Sequence, residues 1–224
     1  MLAWCENIIF TMSPRPVVVG RRDAGELGVL LNAARDVLAE SGYDGLRVED
    51  VLQRARLSTR AFYRHFSGKA ELFLALFDRE SARAAQRLRA RVQHAGDAED
   101  AVREWVTAVL ALAYDPRLAR RSQLFAGERG SLARRFPDEI DRSMRRQLEP
   151  LETAIAAGLA TGAFPQAHPV DDARAIHHLC SGLIADRLTG TATLSQRAAV
   201  ALASGFALQA LRADGVERRA GAGA

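Results

Sequence analysis

The sequence predicts an all-α protein, with a short N-terminal unit of three helices followed by a longer helical region. Apolar residues recur at positions i, i+3, i+4 and i+7 along most of the 224 residues. No stretch alternates apolar and polar residues in the way that a half-buried β-strand does. Gly, Pro and Ser interrupt the apolar stripes at positions where helices begin and end. These three observations leave no segment that favours a sheet.

The composition is that of an ordinary globular chain with a basic balance. Hydrophobic residues make up 48% and charged residues 26%, which is typical of a folded domain rather than of a disordered chain. Nearly all of the 31 basic residues are Arg, and Lys69 is the only Lys. An isoelectric point near 9.7 with a net charge of +4 suits a nucleic-acid binder. A proteome rich in Arg and Ala would give the same balance, so charge alone does not indicate DNA.

Neither a disulfide framework nor a membrane span is expected. Cys5 and Cys180 are far apart and form no Cys-x-x-Cys pattern, which favours a reducing, cytoplasmic location. No run of about 18 apolar residues is present. The first twelve residues lack a basic start and are interrupted by Glu6, so they make a poor signal peptide. Translation from Met1 and from Met12 both remain open.

Residues 1–22 are expected to form a flexible basic arm. Pro14 and Pro16 argue against a helix there. Its arginines suit either a solvated tail or contact with nucleic-acid phosphates or a minor groove. The first clear helix is predicted over 23–41, where leucines and alanines follow helical spacing closely. Gly42 is placed to end that helix as its C-terminal cap.

The stretch 48–66 predicts two short helices joined by a tight turn. Val48, Val51, Leu52 and Ala55 form one apolar face, and the hydroxyl of Ser58 is placed to cap the second helix. In that second helix two phenylalanines, at 62 and 66, point to one side and leave polar residues on the other. This is the pattern of a helix-turn-helix, in which the first helix supports a second helix that enters the major groove of DNA.

These residues also resemble a known family. The stretches Ala55-Arg56-Leu57-Ser58 and 61–66 (AlaPheTyrArgHisPhe), followed by Lys69 and Glu71-Leu72, are similar to the signature of TetR-family transcriptional regulators. The resemblance covers roughly residues 27–73. It implies a DNA-binding domain followed by an all-helical region that dimerises through a four-helix bundle and holds a small-molecule inducer.

The residues expected to touch DNA lie in and around the second helix of the motif. Thr59 and Arg60 occupy its first turn, which reaches base edges, and an arginine there can bond guanine at two atoms. The resemblance implies that Tyr63, His65 and Lys69 approach the DNA backbone. Alternative roles are a half-buried aromatic for Tyr63, a cap between the third and fourth helices for His65 and plain solvent exposure for Arg64. The predicted DNA-binding set is Arg47, Ser58, Thr59, Arg60, Tyr63, Arg64, His65 and Lys69.

This sequence departs from the family pattern at three positions of the motif. Arg56 stands in the turn where the family usually has Gly, Arg47 stands where a Ser or Thr usually opens the first helix, and Ala61 often has Thr as its counterpart. These departures leave room for an alternative function: an all-helical small-molecule- or partner-binding protein whose helix-turn-helix no longer reads DNA.

The remaining chain is predicted to be helical to residue 213. A long helix over roughly 68–93 carries five arginines that are expected to form a solvated face, and Pro150 is expected to bend a later stripe. The last two helices, over 170–188 and 194–211, are rich in small and apolar residues and are the expected homodimer surface. Large side chains with two polar groups among them make a candidate ligand pocket, although plain core is the alternative for each: Trp105, Tyr114, Phe125, Met144, Leu148 and His177.

No enzyme or metal signature is present. His177, His178 and Cys180 lie close in sequence, but adjacent residues of a helix point about 100° apart and do not readily share one ion. Nucleophile-elbow, phosphate-loop, zinc-protease and dinucleotide motifs are all missing. The chain is therefore expected to be a cytoplasmic, homodimeric regulator without cofactor or enzymatic activity. We expect a DNA-binding domain at 23–68, a ligand-binding and dimerisation domain at 69–213 and a disordered tail at 214–224, with repression the usual sign for the family.

Overall fold

The computed structural model describes residues 21–126 and 129–213, and all regular structure in those ranges is helical. The predicted arm up to residue 20, and the predicted tail from 214, lie outside the described residues. Within the described ranges ten helices follow one another: α1 (Arg21–Gly45), α2 (Val48–Ala55), α3 (Thr59–His65), α4 (Lys69–Gln93), α5 (Ala98–Tyr114), α6 (Pro116–Ala126), α7 (Arg129–Arg135), α8 (Pro137–Thr161), α9 (Pro169–Thr189) and α10 (Gln196–Arg212).

The first of two hydrophobic clusters joins α1, α2 and α3 to the N-terminal half of α4. Leu30 and Leu38 of α1 pack with Phe62 of α3 and with Leu72 of α4, and all four side chains are fully buried. The cluster also takes Phe125 from α6, and it extends to single side chains of α7 and α8. The N-terminal helices therefore share their core with the region that follows them.

The second cluster fills the space between the C-terminal half of α4 and α5, α8, α9 and α10. Trp105 and Leu110 of α5 lie at its centre together with Ile155 of α8. Gly158 lets the ring of Phe164 lie directly against α8, because a Cβ at that glycine would be 2.0 Å from Cδ2 of the phenylalanine. Both α4 and α8 contribute to the two clusters, so these two helices connect the N-terminal helices with the rest of the chain.

The predicted helix boundaries are close to the observed ones, with two instructive differences. Gly42 has a φ of 68°, so the first helix does break there, but a further helical turn continues to residue 45. The short helix α7 was missed, because its seven residues carry too few apolar positions to show a period. Pro150 lies inside α8, which runs unbroken from residue 137 to 161.

The arginines of α4 are not the uniform solvated face that the sequence predicts. Arg79 is largely buried and donates from Nη2 to the main-chain oxygen of Leu31 in α1, at 3.0 Å. Arg87 lines an internal cavity described below. The helical spacing of α4 did not predict these partly buried arginines, because the two hydrophobic clusters lie on different sides of the helix and leave no single solvated face. No helix within 21–126 and 129–213 is long and apolar enough to span a bilayer.

Candidate nucleic-acid interface and internal cavity

The turn of the helix-turn-helix is built by an arginine in a conformation that usually favours glycine. Arg56 has φ 54° and ψ 41°, the left-handed region; its N–H donates to the carbonyl oxygen of Gln53, and the N–H of Leu57 donates to that of Leu52. The hydroxyl of Ser58 then accepts from the N–H of Ala61 at 3.3 Å and caps α3, as predicted. The sequence difference at Arg56 therefore leaves the turn intact and places an exposed guanidinium beside α3.

Helix α3 separates an apolar inner face from an exposed polar face. Phe62 is 0% exposed and its ring centroid lies 5.5 Å from that of Phe66, so both rings anchor the helix. Tyr63 is 61% exposed and meets the ring of Phe62 edge-on, at a centroid distance of 5.3 Å. Thr59 and Arg60 are exposed in the first turn. The structure thus brings these three candidate residues to one accessible surface.

Two predicted contact residues turn back towards α1. The guanidinium of Arg64 is paired with the carboxylate of Glu26, and about half of the Arg64 side chain remains exposed. The His65 side chain is only 7% exposed, and its Nε2 lies 3.7 Å from the same carboxylate. His65 therefore lies between α3 and α1, whereas the alternative role that the sequence allowed was a cap between the third and fourth helices. No sequence signal pointed to Glu26, because nothing in its spacing links it to α3.

Lys69 is the first residue of α4, and contacts with the end of α1 fix its side chain. Its Nζ lies 4.2 Å from the ring centroid of Tyr43 and donates to the main-chain oxygen of Asp44 at 3.3 Å. The N-terminus of a helix attracts phosphate through its free N–H groups and its dipole. The lysine and the helix end together form a cationic corner next to α3. Tyr43, which holds the lysine, was not among the predicted site residues.

The remaining two candidates lie at the ends of α2 and α3. Arg47 is exposed and immediately precedes α2, where its side chain makes no capping hydrogen bond. Ser58 is exposed as well, although its hydroxyl is engaged in the cap. The described surface around α3 is therefore basic at Arg47, Arg56, Arg60 and Lys69. Such a surface can neutralise phosphates and present side chains to base edges.

A cavity of about 370 Å³ lies between α4, α5, α6, α8 and α9. Most of its wall is apolar, and polar groups come from each of the surrounding helices except α5. Its lining consists of Phe77, Glu80, Ser81, Ala84, Arg87, Val109, Leu112, Leu118, Ser122, Phe125, Gln147, His177, Ser181, Ile184, Ala185, Leu188 and Thr189. A largely apolar cavity with a few polar groups is typical of a small-molecule site.

Two of the six predicted pocket residues, Phe125 and His177, line this cavity. The other four lie outside its lining. Trp105 is buried in the second cluster and donates from Nε1 to the main-chain oxygen of Gln147 at 3.0 Å. Tyr114 donates to the main-chain oxygen of Leu194 at 3.3 Å. Met144 and Leu148 pack against the same cluster as Trp105. Sequence reasoning favoured large side chains and therefore missed the small serines of the wall.

The outer sides of α9 and α10 carry exposed apolar and small residues. Phe206 is 62% exposed and Leu202, one turn earlier, is 41% exposed. Gly182 and Gly205 are exposed with open space at their Cβ positions. Several small or apolar residues that the sequence suggested for this surface instead face inward. Ala203 and Ala207 are buried within the chain, and Ser181 and Ile184, both half-buried, line the cavity.

The histidines and the cysteine of α9 do not converge. Within the described residues no group of three or more His, Cys, Asp or Glu side chains is arranged to hold a metal ion. Cys180 is fully buried in the second cluster, and its burial raises the pKa of the thiol to about 12. A thiol with that pKa is almost entirely protonated near neutral pH and is a poor nucleophile.

The fold and the exposed polar face of α3 are those of a helix-turn-helix domain. Residues 30–76 match the family model described as bacterial regulatory proteins, tetR family. The resemblance to TetR-family regulators seen in the motif is therefore confirmed for this N-terminal part of the chain. Because this family model covers only residues 30–76, it identifies neither the ligand nor the operator.

Known proteins extend this similarity to the rest of the chain at the level of the fold. The HTH-type transcriptional regulator CymR of Pseudomonas putida is 36% identical over 93 residues, which are 42% of this chain and 46% of CymR. The match therefore spans about half the length of that relative. A regulator from Saccharomonospora viridis, solved in complex with choline, has a TM-score of 0.68 at 21% identity, covering 82% of this chain and 95% of the other. FadR from Bacillus subtilis, solved with stearoyl-CoA, has a TM-score of 0.61 at 13% identity, covering 82% and 97%.

Proposed function

We propose that this protein is a homodimeric, ligand-responsive transcriptional regulator that binds an operator through α3 and releases it when a small molecule occupies the internal cavity. The observation that carries the proposal is the exposed basic face of α3, held on a buried aromatic base and flanked by Lys69. It acts as a binding protein in the cytoplasm, where its DNA is, rather than as an enzyme. The proposed division is a reading domain at 23–68 and a regulatory domain at 69–213.

On the DNA, the exposed residues take different roles. Thr59 and Arg60 are placed for base edges, because the first turn of a recognition helix enters the major groove. Tyr63 and Lys69 are placed for phosphates, with Arg47 and Ser58 at the margins. Arg64 keeps one side exposed while Glu26 holds its position. We assign no direct contact to His65, because its imidazole faces α1 and instead supports α3 from behind.

A chain of aromatic contacts links the cavity to the cationic corner. Phe125 lines the cavity, and its ring centroid is 5.4 Å from that of Phe73. The Phe73 ring lies 4.6 Å from that of Tyr43, which in turn carries Lys69 at 4.2 Å. A ligand that displaces Phe125 would therefore shift the residues that position Lys69. Its leverage is the difference between its affinities for the DNA-bound and the released conformations.

The dimer is proposed to form through the exposed faces of α9 and α10. Covering exposed apolar side chains such as Phe206 and Leu202 with a second copy of the chain lowers the free energy and favours the dimer. The helix-turn-helix domains of the two protomers, related by a two-fold axis, then contact half-sites about one helical turn of DNA, roughly 34–36 Å, apart. Choline in one neighbour and stearoyl-CoA in another indicate that this fold accommodates chemically different small molecules.

Selection from random-sequence DNA duplexes tests the function directly. The proposal predicts that the purified protein enriches a pseudo-palindromic sequence with two equivalent half-sites. Arg60→Ala should relax preference at one base position in each half-site, with a loss of about 1–3 kcal/mol per specific contact. Enrichment of no common sequence, with the protein folded and dimeric, would contradict the proposal and favour a helix-turn-helix that no longer reads DNA.

A further inference from the structure

The charged groups around the cavity point to the class of molecule that occupies it. We propose that the cavity binds an amphipathic anion, a carboxylate carried on an extended apolar chain, with the carboxylate at the end formed by Arg87, Gln147 and His177. This inference rests on the proposed ligand-responsive function and adds the chemistry of the ligand. It is carried by the positions of the polar groups along the cavity.

Three contacts place Arg87, Gln147 and His177 at the same end of the cavity. Arg91 of α4 pairs with Glu104 of α5 at 2.7 Å, so the C-terminal part of α4 lies beside the start of α5. Trp105, the next residue of α5, bonds the main chain of Gln147 and has its ring centroid 6.4 Å from that of His177.

Arg87 is one helical turn before Arg91 and lines the cavity together with Gln147 and His177. This end therefore offers a guanidinium, an amide and an imidazole. Hydrogen bonds from such donors to an ionised carboxylate are stronger than bonds between neutral groups.

The opposite end of the cavity is largely apolar, although Glu80 lies towards it, about 10 Å from Arg87 along α4. Arg187 lies 5.3 Å from the ring of Tyr114, which shows that α9 runs alongside α5 in the same direction. Leu118, Leu188 and Thr189 therefore line the end that is remote from His177. Thr189 is twelve residues after His177, which corresponds to about 18 Å along a helix. A cavity with these dimensions suits an extended chain.

Glu80, the glutamate in the cavity wall, does not reverse the preference for an anionic ligand. Glu80 precedes Arg87 by seven residues, about 10 Å along α4. Its Oε1 accepts a hydrogen bond from Arg83 at 2.7 Å and lies 3.7 Å from Nε of Arg79. A cationic ligand would have to compete with two arginines for this carboxylate. Three arginines against one glutamate make this face of α4 positive, which favours an anion.

Calorimetric titration of the full-length dimer with three ten-carbon probes tests the proposal. Decanoate, decanol and decylamine share an apolar chain and differ in the charge of the head group. We expect decanoate to bind at least about tenfold more tightly than decanol, with decylamine the weakest. Tighter binding of decanol or decylamine than of decanoate would overturn the proposal, and so would the absence of binding by all three probes.

Variants of Arg87 locate the carboxylate. Arg87→Gln should weaken decanoate about tenfold and change decanol less than twofold, whereas Arg87→Lys should retain the preference for decanoate. Arg89→Gln is the matched control, because that arginine is two residues further along α4 and pairs with Glu149 outside the cavity. An equal loss for decanoate and decanol in Arg87→Gln would show that the arginine supports the fold rather than the head group.

The outcome for the ligand class is separate from the outcome for DNA binding. Operator selection uses the protein without added ligand, so it can succeed even if no probe binds, and the ligand class alone would then be wrong. If the probes bind as expected but no operator is enriched, the proposed regulatory function fails and the cavity assignment stands. Release of a selected operator by decanoate, and not by decanol at the same concentration, would join the two results.

Discussion

Replacing Tyr63 by Phe removes one hydroxyl from the proposed reading surface and changes little else. The side chain is 61% exposed, and its edge-on contact with Phe62 does not involve the hydroxyl. The free energy of unfolding should therefore change by no more than about 0.5 kcal/mol. A hydrogen bond to a charged phosphate contributes about 1.5–3 kcal/mol. With one such bond lost in each half-site, the free energy of operator binding should weaken by at least about 3 kcal/mol, which is roughly 150-fold or more in affinity.

The salt dependence of binding separates this hydroxyl from a charged contact. Tyr63→Phe removes no charge, so the slope of log K against log salt should not change. Lys69→Gln removes one cation from each half-site and should make the slope shallower by about 1.8, since each phosphate contact contributes about 0.9. Both slopes can be read from fluorescence anisotropy of a labelled operator at several salt concentrations.

A charge-matched control guards against a general effect of net charge. Arg89→Gln removes the same charge from α4 at a position that pairs with Glu149, and it should leave the slope unchanged. If Tyr63→Phe binds the operator within twofold of the parent, the tyrosine does not contact DNA. If Arg89→Gln flattens the slope as much as Lys69→Gln does, the cationic corner has no special role.

Three further substitutions test the packing, the dimer and the coupling. Gly158→Ala should lower the free energy of unfolding by about 1–3 kcal/mol, because its Cβ would lie 2.0 Å from the ring of Phe164, and calorimetry should show a lower Tm that Phe164→Leu partly restores. An unchanged Tm would mean that the ring moves away without cost. Phe206→Glu should convert the dimer to monomers in sedimentation experiments and weaken operator binding, whereas a dimer that persists would place the interface elsewhere. Phe125→Leu should leave operator binding without ligand within about threefold and reduce the release caused by ligand; a full response would remove Phe125 from the coupling path.

The DNA-reading motif could be predicted from sequence because its signals are local. Ser58 caps α3 three residues before its bonded N–H, and Phe62 and Phe66 are one turn apart, so their roles follow from spacing alone. Exposure of the polar face of α3 then follows from burial of the other face. Even the departure at Arg56 proved informative, because the turn keeps its left-handed conformation without glycine.

The cavity and the support of α3 could not be predicted in the same way, because they depend on distant parts of the chain. Glu26 and Arg64 are 38 residues apart in sequence, and no periodicity links them. The cavity is formed by five helices and is lined largely by residues that look like ordinary core or surface. Arg87 illustrates the difficulty, since its position on α4 resembles a solvated face until the surrounding helices form the cavity that it lines. Tertiary packing, rather than local propensity, determines these features.

The most direct test of the account is the binding of the purified dimer to DNA from the region upstream of its own gene. Anisotropy would be measured at two salt concentrations with an excess of unrelated duplex as competitor. The account predicts binding that survives the competitor and weakens steeply with salt, as expected when phosphate contacts release counterions. Binding that the unrelated duplex removes completely, for this DNA and equally for any duplex enriched by selection, would contradict the claim that α3 reads sequence.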